Sequence, residues 1–229
     1  MMFFDFANPY LIYAFFVLLT AFAIHVIFTK QVFVRKHMKT ILIVATFLLL
    51  WTQYVRYFDV LIFKSKFEIG AHLPFYICRV SAVVLLYYTI TQDKRVEGFL
   101  FYWGALGLAG IIYPNGPINN IENLTETFYI DHFLLTLIPF FIIVYKGYRP
   151  TIKGLFAIVG VMFVMLFAFV PLNALWNSDY FYLANQSIFG ELFPDSTVVV
   201  FILVHCLAAT IFFYWYYRMF KNFDLKVSE

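Results

Sequence analysis

Seven apolar stretches, each about as long as a bilayer's hydrocarbon core is thick, constrain this chain more than any other feature. They lie at about 9–29, 39–61, 73–91, 97–113, 128–145, 154–173 and 197–217. A helix needs about 20 residues to cross about 30 Å of hydrocarbon, and only helices and closed barrels satisfy their backbone groups in lipid. The stretches are too long and too uniformly apolar for barrel strands. We therefore predict an all-α protein, a bundle of seven transmembrane helices.

The composition supports the same class. Only 13% of the residues are charged and 63% are hydrophobic, whereas soluble domains carry about 25% charged residues. We find no internal repeat and no flexible linker, so we expect one membrane domain over residues 1–229 of a multi-pass protein in the cell membrane. The net charge of +3 does not indicate a nucleic-acid partner, because basic residues in such a chain first report its orientation.

Lysine and arginine collect in alternate connections, and such enrichment is typical of the cytoplasmic side. The connections after the first, third and fifth stretches and the segment after the seventh contain Lys30, Arg35, Lys36, Lys39, Lys94, Arg95, Lys146, Arg149, Lys153, Arg218, Lys221 and Lys226. The opposite side has Lys64 and Lys66 but collects Asp5, Glu68, Glu122, Glu126, Asp179, Glu191 and Asp195. We therefore predict an external N-terminus and a cytoplasmic C-terminus.

Polar residues converge at the predicted outer end of the bundle. The segment "HLPFYICRVS" (72–81) places His72, Cys78 and Arg79 at the start of the third stretch. The polar residues of the other stretches at this level are Thr52, Arg56, Asp59, Asn115, Asp131, His132 and Asn173. Ionisable groups at membrane depth are costly and indicate a functional site when they can pair.

Each of these residues also has a purely structural interpretation. Arg56 and Asp59 are spaced as an i, i+3 pair near the membrane surface. Cys78 taken alone is typical of a small buried residue. His25 and His205 have no acidic neighbour in the sequence, and we interpret them as structural. Because polar residues from several helices converge at one depth, we favour a functional site over these separate structural roles.

Four segments resemble one known family. "HLPFYIC", "FYWGALGLAGIIYPNG", "FYIDHFLLTLIP" and "PLNALWNSDYFYLANQ" are similar, in this order, to the signature segments of the YwaF-like bacterial integral membrane proteins, which are grouped with the eukaryotic transmembrane protein 164. The resemblance covers nearly the whole chain. It implies a phospholipid acyltransferase that passes a fatty acyl group through a cysteine thioester with help from a histidine, with Cys78 as nucleophile and His132 as the histidine.

The spacing of the residues is compatible with this chemistry. Acyl transfer needs an activated nucleophile, a base and donors for the oxyanion. At 100° per residue, His72, Tyr76 and Arg79 fall on one stripe of the third helix, and Cys78 lies about 100° from Arg79. We therefore expect the base to come from another helix, with His132 at matching depth.

Supporting roles are predicted for the remaining polar residues. Asp131 or Asp59 would orient or charge the histidine, and Arg56 and Arg79 would hold a phosphate or the oxyanion. Asn115 and Asn173 are candidate hydrogen-bond donors behind the site.

The predicted function is a lipid acyltransferase or transacylase whose partners are membrane phospholipids and which uses no cofactor or metal. Two alternatives stay open. A seven-helix receptor or small-molecule transporter would use the same polar cluster for non-covalent binding. A lipid esterase would differ only in using water as the acyl acceptor.

Overall fold

The structure is a computed structural model that describes residues 9–63, 76–112, 126–178, Tyr180, Leu183 and 198–222. Within these ranges, eight side chains are outside the description: Pro9, Arg56, Asp59, Val60, Leu61, Phe63, Ile77 and Glu126.

The described chain folds into seven α-helices, and no strand occurs in these parts of it. The helices are α1 (Pro9–Thr29), α2 (Gln31–Phe63), α3 (Ile77–Thr91), α4 (Glu97–Ile112), α5 (Glu126–Lys146), α6 (Ile152–Trp176) and α7 (Val198–Phe220). Six of them contain a span long and apolar enough to cross a membrane, and α3 contains a shorter apolar stretch. A helical, multi-pass membrane protein is thus confirmed for the described residues, whereas the number of spans and the orientation stay predictions.

Two helix boundaries differ from the prediction. The second helix begins at Gln31 rather than near residue 39, because the basic segment before the apolar run contains good helix formers and no proline or glycine. The third helix begins at Ile77 rather than near residue 73, because Tyr76 has an extended backbone (φ −65°, ψ 144°) and forms the N-cap. The sequence stays apolar on both sides of this N-cap, so a hydropathy window cannot locate the start of the helix.

The helix ends that carry the lysines and arginines lie together, and we call them the basic end. Short connections join helices there: Lys30 joins α1 to α2, residues 92–96 join α3 to α4, and residues 147–151 join α5 to α6. In the second of these connections, Asp93 accepts hydrogen bonds from the Arg95 side chain and backbone. These bonds lower the pKa of the Asp93 carboxyl well below its usual range.

A buried carboxylate stabilises the basic end. Glu97, the first residue of α4, is buried and accepts a hydrogen bond of 3.0 Å from Tyr88 Oη on α3. A negative side chain at a helix N-terminus is favourable because the backbone N–H groups there carry positive partial charge. Burial is the main cause and the nearby Glu97 the second, and together they raise the pKa of Tyr148 to about 12. This hydroxyl therefore stays neutral.

Helix α5 lies at the centre of the bundle, with 72% of its apolar span buried inside the protein. It packs against α1, α2 and α4. The contact with α4 is close because three glycines of α4 face it: Gly104 contacts Pro139, Gly107 contacts Thr136, and Gly110 contacts His132. The sequence of α4 thereby allows its backbone to approach α5 at the level of His132.

Candidate functional site

Cys78 is the second residue of α3; it forms no disulfide and is partly buried. Its neighbour Arg79 is 6% exposed, and the guanidinium carbon lies 5.0 Å from the centroid of the Tyr76 ring. The later start of α3 therefore places the thiol in the first turn rather than deeper in the helix. A helix N-terminus and an adjacent cation both stabilise a thiolate relative to a thiol.

Asn173 is linked to the first turn of α3, which contains Cys78, by the rings of Tyr180 and Tyr76. Its Oδ1 accepts hydrogen bonds from Ser178 Oγ and Tyr180 N, and its Nδ2 donates to Tyr180 O, each at 2.9 Å. The buried Tyr180 ring lies 5.0 Å from the Tyr76 ring, which also contacts Arg79. Asn173 thus acts on the Cys78 turn indirectly, because it binds the backbone of Tyr180 after α6.

The orientation of His132 is set within its own helix. Its Nδ1 lies 2.8 Å from the backbone oxygen of Phe128, one turn earlier in α5. Because a carbonyl oxygen can only accept, Nδ1 carries the proton in this hydrogen bond, and in the neutral ring Nε2 then carries the lone pair. The imidazole also stacks on the Phe128 ring with centroids 4.0 Å apart. His132 is therefore held as the tautomer in which Nε2 can accept a proton.

Gly110 provides the space for the His132 ring. A Cβ atom at Gly110 would overlap Cδ2 of His132 and would lie 2.7 Å from its Nε2. Only glycine leaves room for the imidazole at this point of the α4 and α5 contact. Sequence reasoning missed this residue, although the glycine spacing in "GALGLAG" is the signal that indicates such a close helix contact.

We expect Gly110→Ala to lower the free energy of unfolding by about 1–3 kcal/mol, the usual cost of overpacking. Gly160→Ala is the matched control, because a Cβ there meets nothing within 4 Å; alanine replaces glycine in a helix with a gain of up to about 1 kcal/mol. Thermal unfolding in detergent micelles measures both. Equal melting temperatures for the two variants would contradict the steric role of Gly110.

Asp131 faces a different helix from His132. The carboxylate is 1% exposed; its Oδ1 accepts a short hydrogen bond from Thr52 Oγ1, and its Oδ2 accepts one of 2.9 Å from Gln53 Nε2. Both partners lie on α2. Among the described contacts, the carbonyl of Phe128 rather than Asp131 orients the His132 ring. Gln53 was not singled out by the sequence, because a lone glutamine in an apolar stretch carries no spacing signal.

Helix α3 contacts α2, α4 and α5, the helices that carry the polar residues just described. Cys78 is thirteen residues from the end of α3 at Thr91, and Gly110 is thirteen residues from the start of α4 at Glu97. At 1.5 Å per residue, both lie about 20 Å from the connection between these helices. Since His132 packs on Gly110, Cys78 and His132 occupy a similar height in the bundle.

Four predicted site residues lie wholly or partly outside the description. His72 and Asn115 are outside the described residues, and of Arg56 and Asp59 only the helical backbone is described. Their supporting roles therefore stay predictions. In the described part of the chain, no group of three or more His, Cys, Asp or Glu side chains is arranged to hold a metal ion.

Comparison with known proteins yields one match. A family model described as the TMEM164 family matches residues 3–218. No curated protein and no solved structure matches the chain. The family match covers all seven helices except the last residues of α7.

Proposed function

The chain belongs to the TMEM164 family, and we propose that it is a membrane acyltransferase that transfers a fatty acyl group from a phospholipid to an acceptor. The group is carried as a thioester on Cys78, with His132 as the base. The predicted topology places this chemistry at the outer-leaflet interface, where phospholipid ester carbonyls lie.

The hydrogen bond from His132 Nδ1 to the Phe128 carbonyl is the observation that carries the proposal. A general base needs a lone pair on the nitrogen that receives the proton, and this bond assigns the lone pair to Nε2. The Phe128 carbonyl thus fixes the tautomer and orientation of His132. A carboxylate or carbonyl has the same effect on the histidine of other nucleophile and base pairs.

The turn around Cys78 supports the nucleophilic role. The thiol is partly buried, so it lies at the edge of the bundle rather than in its closed core. The positive end of the α3 dipole and the Arg79 guanidinium favour negative charge on the sulfur and on the oxyanion that forms after attack. Arg79 Cζ packs over the ring of Tyr76, the N-cap residue of the helix that begins with Ile77 and Cys78.

The reaction has two balanced steps. His132 Nε2 takes the thiol proton, Cys78 Sγ attacks the ester carbonyl, and the carbon–oxygen bond of the ester breaks as the lysophospholipid oxygen takes the proton from His132. In the second step His132 removes the proton from an acceptor hydroxyl, whose oxygen attacks the thioester. The acyl group then forms an ester with the acceptor, and the released sulfur recovers its proton.

The test is a covalent adduct. The purified protein is incubated with a phospholipid that carries a labelled acyl chain, and the protein is then digested and mapped by mass spectrometry. We expect a hydroxylamine-sensitive label on the peptide that contains Cys78 and none on the peptide that contains Cys206. A receptor or transporter would bind the phospholipid without forming any adduct, and this outcome would remove the proposal. An esterase would form the adduct and release free fatty acid.

A further inference from the structure

One buried hydroxyl near His132 has no hydrogen-bond partner among the described residues. Tyr129 is 1% exposed, and its Oη makes no hydrogen bond with any residue, within the part of the chain that the structure describes. Nearly all buried polar groups in folded proteins are paired, because an unpaired one loses its bonds to water without replacement. A buried donor of this kind is suited to a hydrogen-bond acceptor from outside the described part of the chain.

Tyr129 lies on the same side of α5 as His132. The two residues are three apart, so their side chains point about 60° from each other around the helix, and their Cα atoms are about 4.5 Å apart along its axis. The Tyr129 ring stacks on Phe16 of α1, with centroids 5.3 Å apart and an interplanar angle of 14°. The hydroxyl is therefore located where α1 packs against α5, one turn from the proposed base.

A second hydroxyl approaches the same place from α1. Tyr13 Oη donates a long hydrogen bond of 3.4 Å to the backbone oxygen of Ile112, the last residue of α4. Tyr13 lies one turn before Phe16 on α1, whose ring stacks on Tyr129. Because a bond of this length is weak, both hydroxyls can donate to one acceptor that enters between α1 and α5.

Helix α1, which packs against α5 at this place, is the least buried of the six candidate spans. Only 11% of the apolar span of α1 is buried, the smallest share among the six candidate spans. The neighbouring groups Phe16 and Phe133 are aromatic, with ring centroids 6.3 Å apart. A phospholipid acyl chain matches these surroundings, and its ester group would reach the two hydroxyls.

We propose that Tyr129 Oη, together with Tyr13 Oη, binds the ester carbonyl oxygen of a phospholipid acyl chain between α1 and α5. Both donors are uncharged hydroxyls, and the Tyr129 ring lies among aromatic rings. They therefore suit a neutral acceptor, whereas a buried phosphate requires a cation. The placement of this ester beside the reacting groups rests on the proposed function, but the binding itself does not.

The experiment compares two phospholipids that differ only in the carbonyl. Purified protein in detergent is titrated with a diacyl phosphatidylglycerol and with the dialkyl-ether phosphatidylglycerol of equal chain length, and binding is followed by thermal stabilisation. We expect the wild type to bind the ester lipid about fivefold more tightly, the worth of one net hydrogen bond. Tyr129→Phe, which keeps the ring and its stacking, should have a smaller ester preference, and the double variant that also carries Tyr13→Phe should bind both lipids equally.

Tyr54→Phe is the matched control, because Tyr54 is 55% exposed on α2; it should keep the ester preference of the wild type. Equal binding of both lipids by the wild type, or an unchanged preference in Tyr129→Phe, would overturn the proposal and indicate that Tyr129 pairs with a water molecule. The titrations are repeated in the Cys78→Ala background, which cannot form an acyl adduct, so this result is independent of the proposed thioester.

Discussion

Cys78→Ala is expected to abolish the acyl adduct and to lower phospholipid acyl transfer by a factor on the order of 10⁴ or more. Alanine has no nucleophile, and loss of the nucleophile in enzymes with a covalent intermediate removes most of the rate enhancement. Transfer of a labelled acyl chain between lipids in nanodiscs measures the effect. Since Cys78 is partly exposed at the first turn of α3, the substitution should leave the melting temperature almost unchanged.

Cys206→Ala is the matched control for the thiol. Cys206 is the other free cysteine and is buried within α7. It should keep the adduct and the transfer rate, although loss of a buried side chain lowers the melting temperature. Undiminished transfer by Cys78→Ala would exclude the thioester mechanism, and the polar cluster would then be a non-covalent binding site.

His132→Ala is expected to slow adduct formation by about 10²–10⁴-fold, the usual contribution of a general base. The physical reason is the assigned lone pair on Nε2, which no other described side chain of α5 provides at that position. A base must be unprotonated to act, so the wild-type rate should fall as the pH is lowered. His132→Ala should lose this pH dependence, which a purely structural role of the ring would leave in place.

His205→Ala is an unusually close control, because His205 has the same local geometry as His132. Its Nδ1 lies 2.9 Å from the Phe201 oxygen, and its ring centroid lies 4.0 Å from that of Phe201. It differs in lying on α7, which packs mainly against α6. We expect an unchanged transfer rate. A similar loss in both histidine variants would show that a helical histidine is needed for packing rather than as a base.

Hydropathy predicted the helices of this protein well where lipid alone decides them. The first helix was expected at 9–29 and is found at Pro9–Thr29, because uniformly apolar residues of sufficient length leave the backbone no alternative in a bilayer. The start of α3 could not be predicted in this way. It depends on the extended backbone of Tyr76, and the apolar run does not change in character there.

The candidate site could be predicted only in part. Asp131 and His132 were recognised because polar residues in an apolar span are unusual. Their partners could not be recognised: Thr52 and Asp131 are 79 positions apart in the chain, and their hydrogen bond depends on which helices are neighbours. Gly110 was missed because its role is to leave space for a ring on another helix.

The sequence by itself determined a multi-pass helical membrane protein and predicted most of its lysines and arginines on one side, because hydropathy and charge act on each segment separately. Only the tertiary structure decided that Asp131 pairs with α2 and that His132 packs on Gly110 of α4. Adjacent residues of a helix point about 100° apart, so these two neighbours can contact different helices. Which helix each of them faces is a property of the packed bundle.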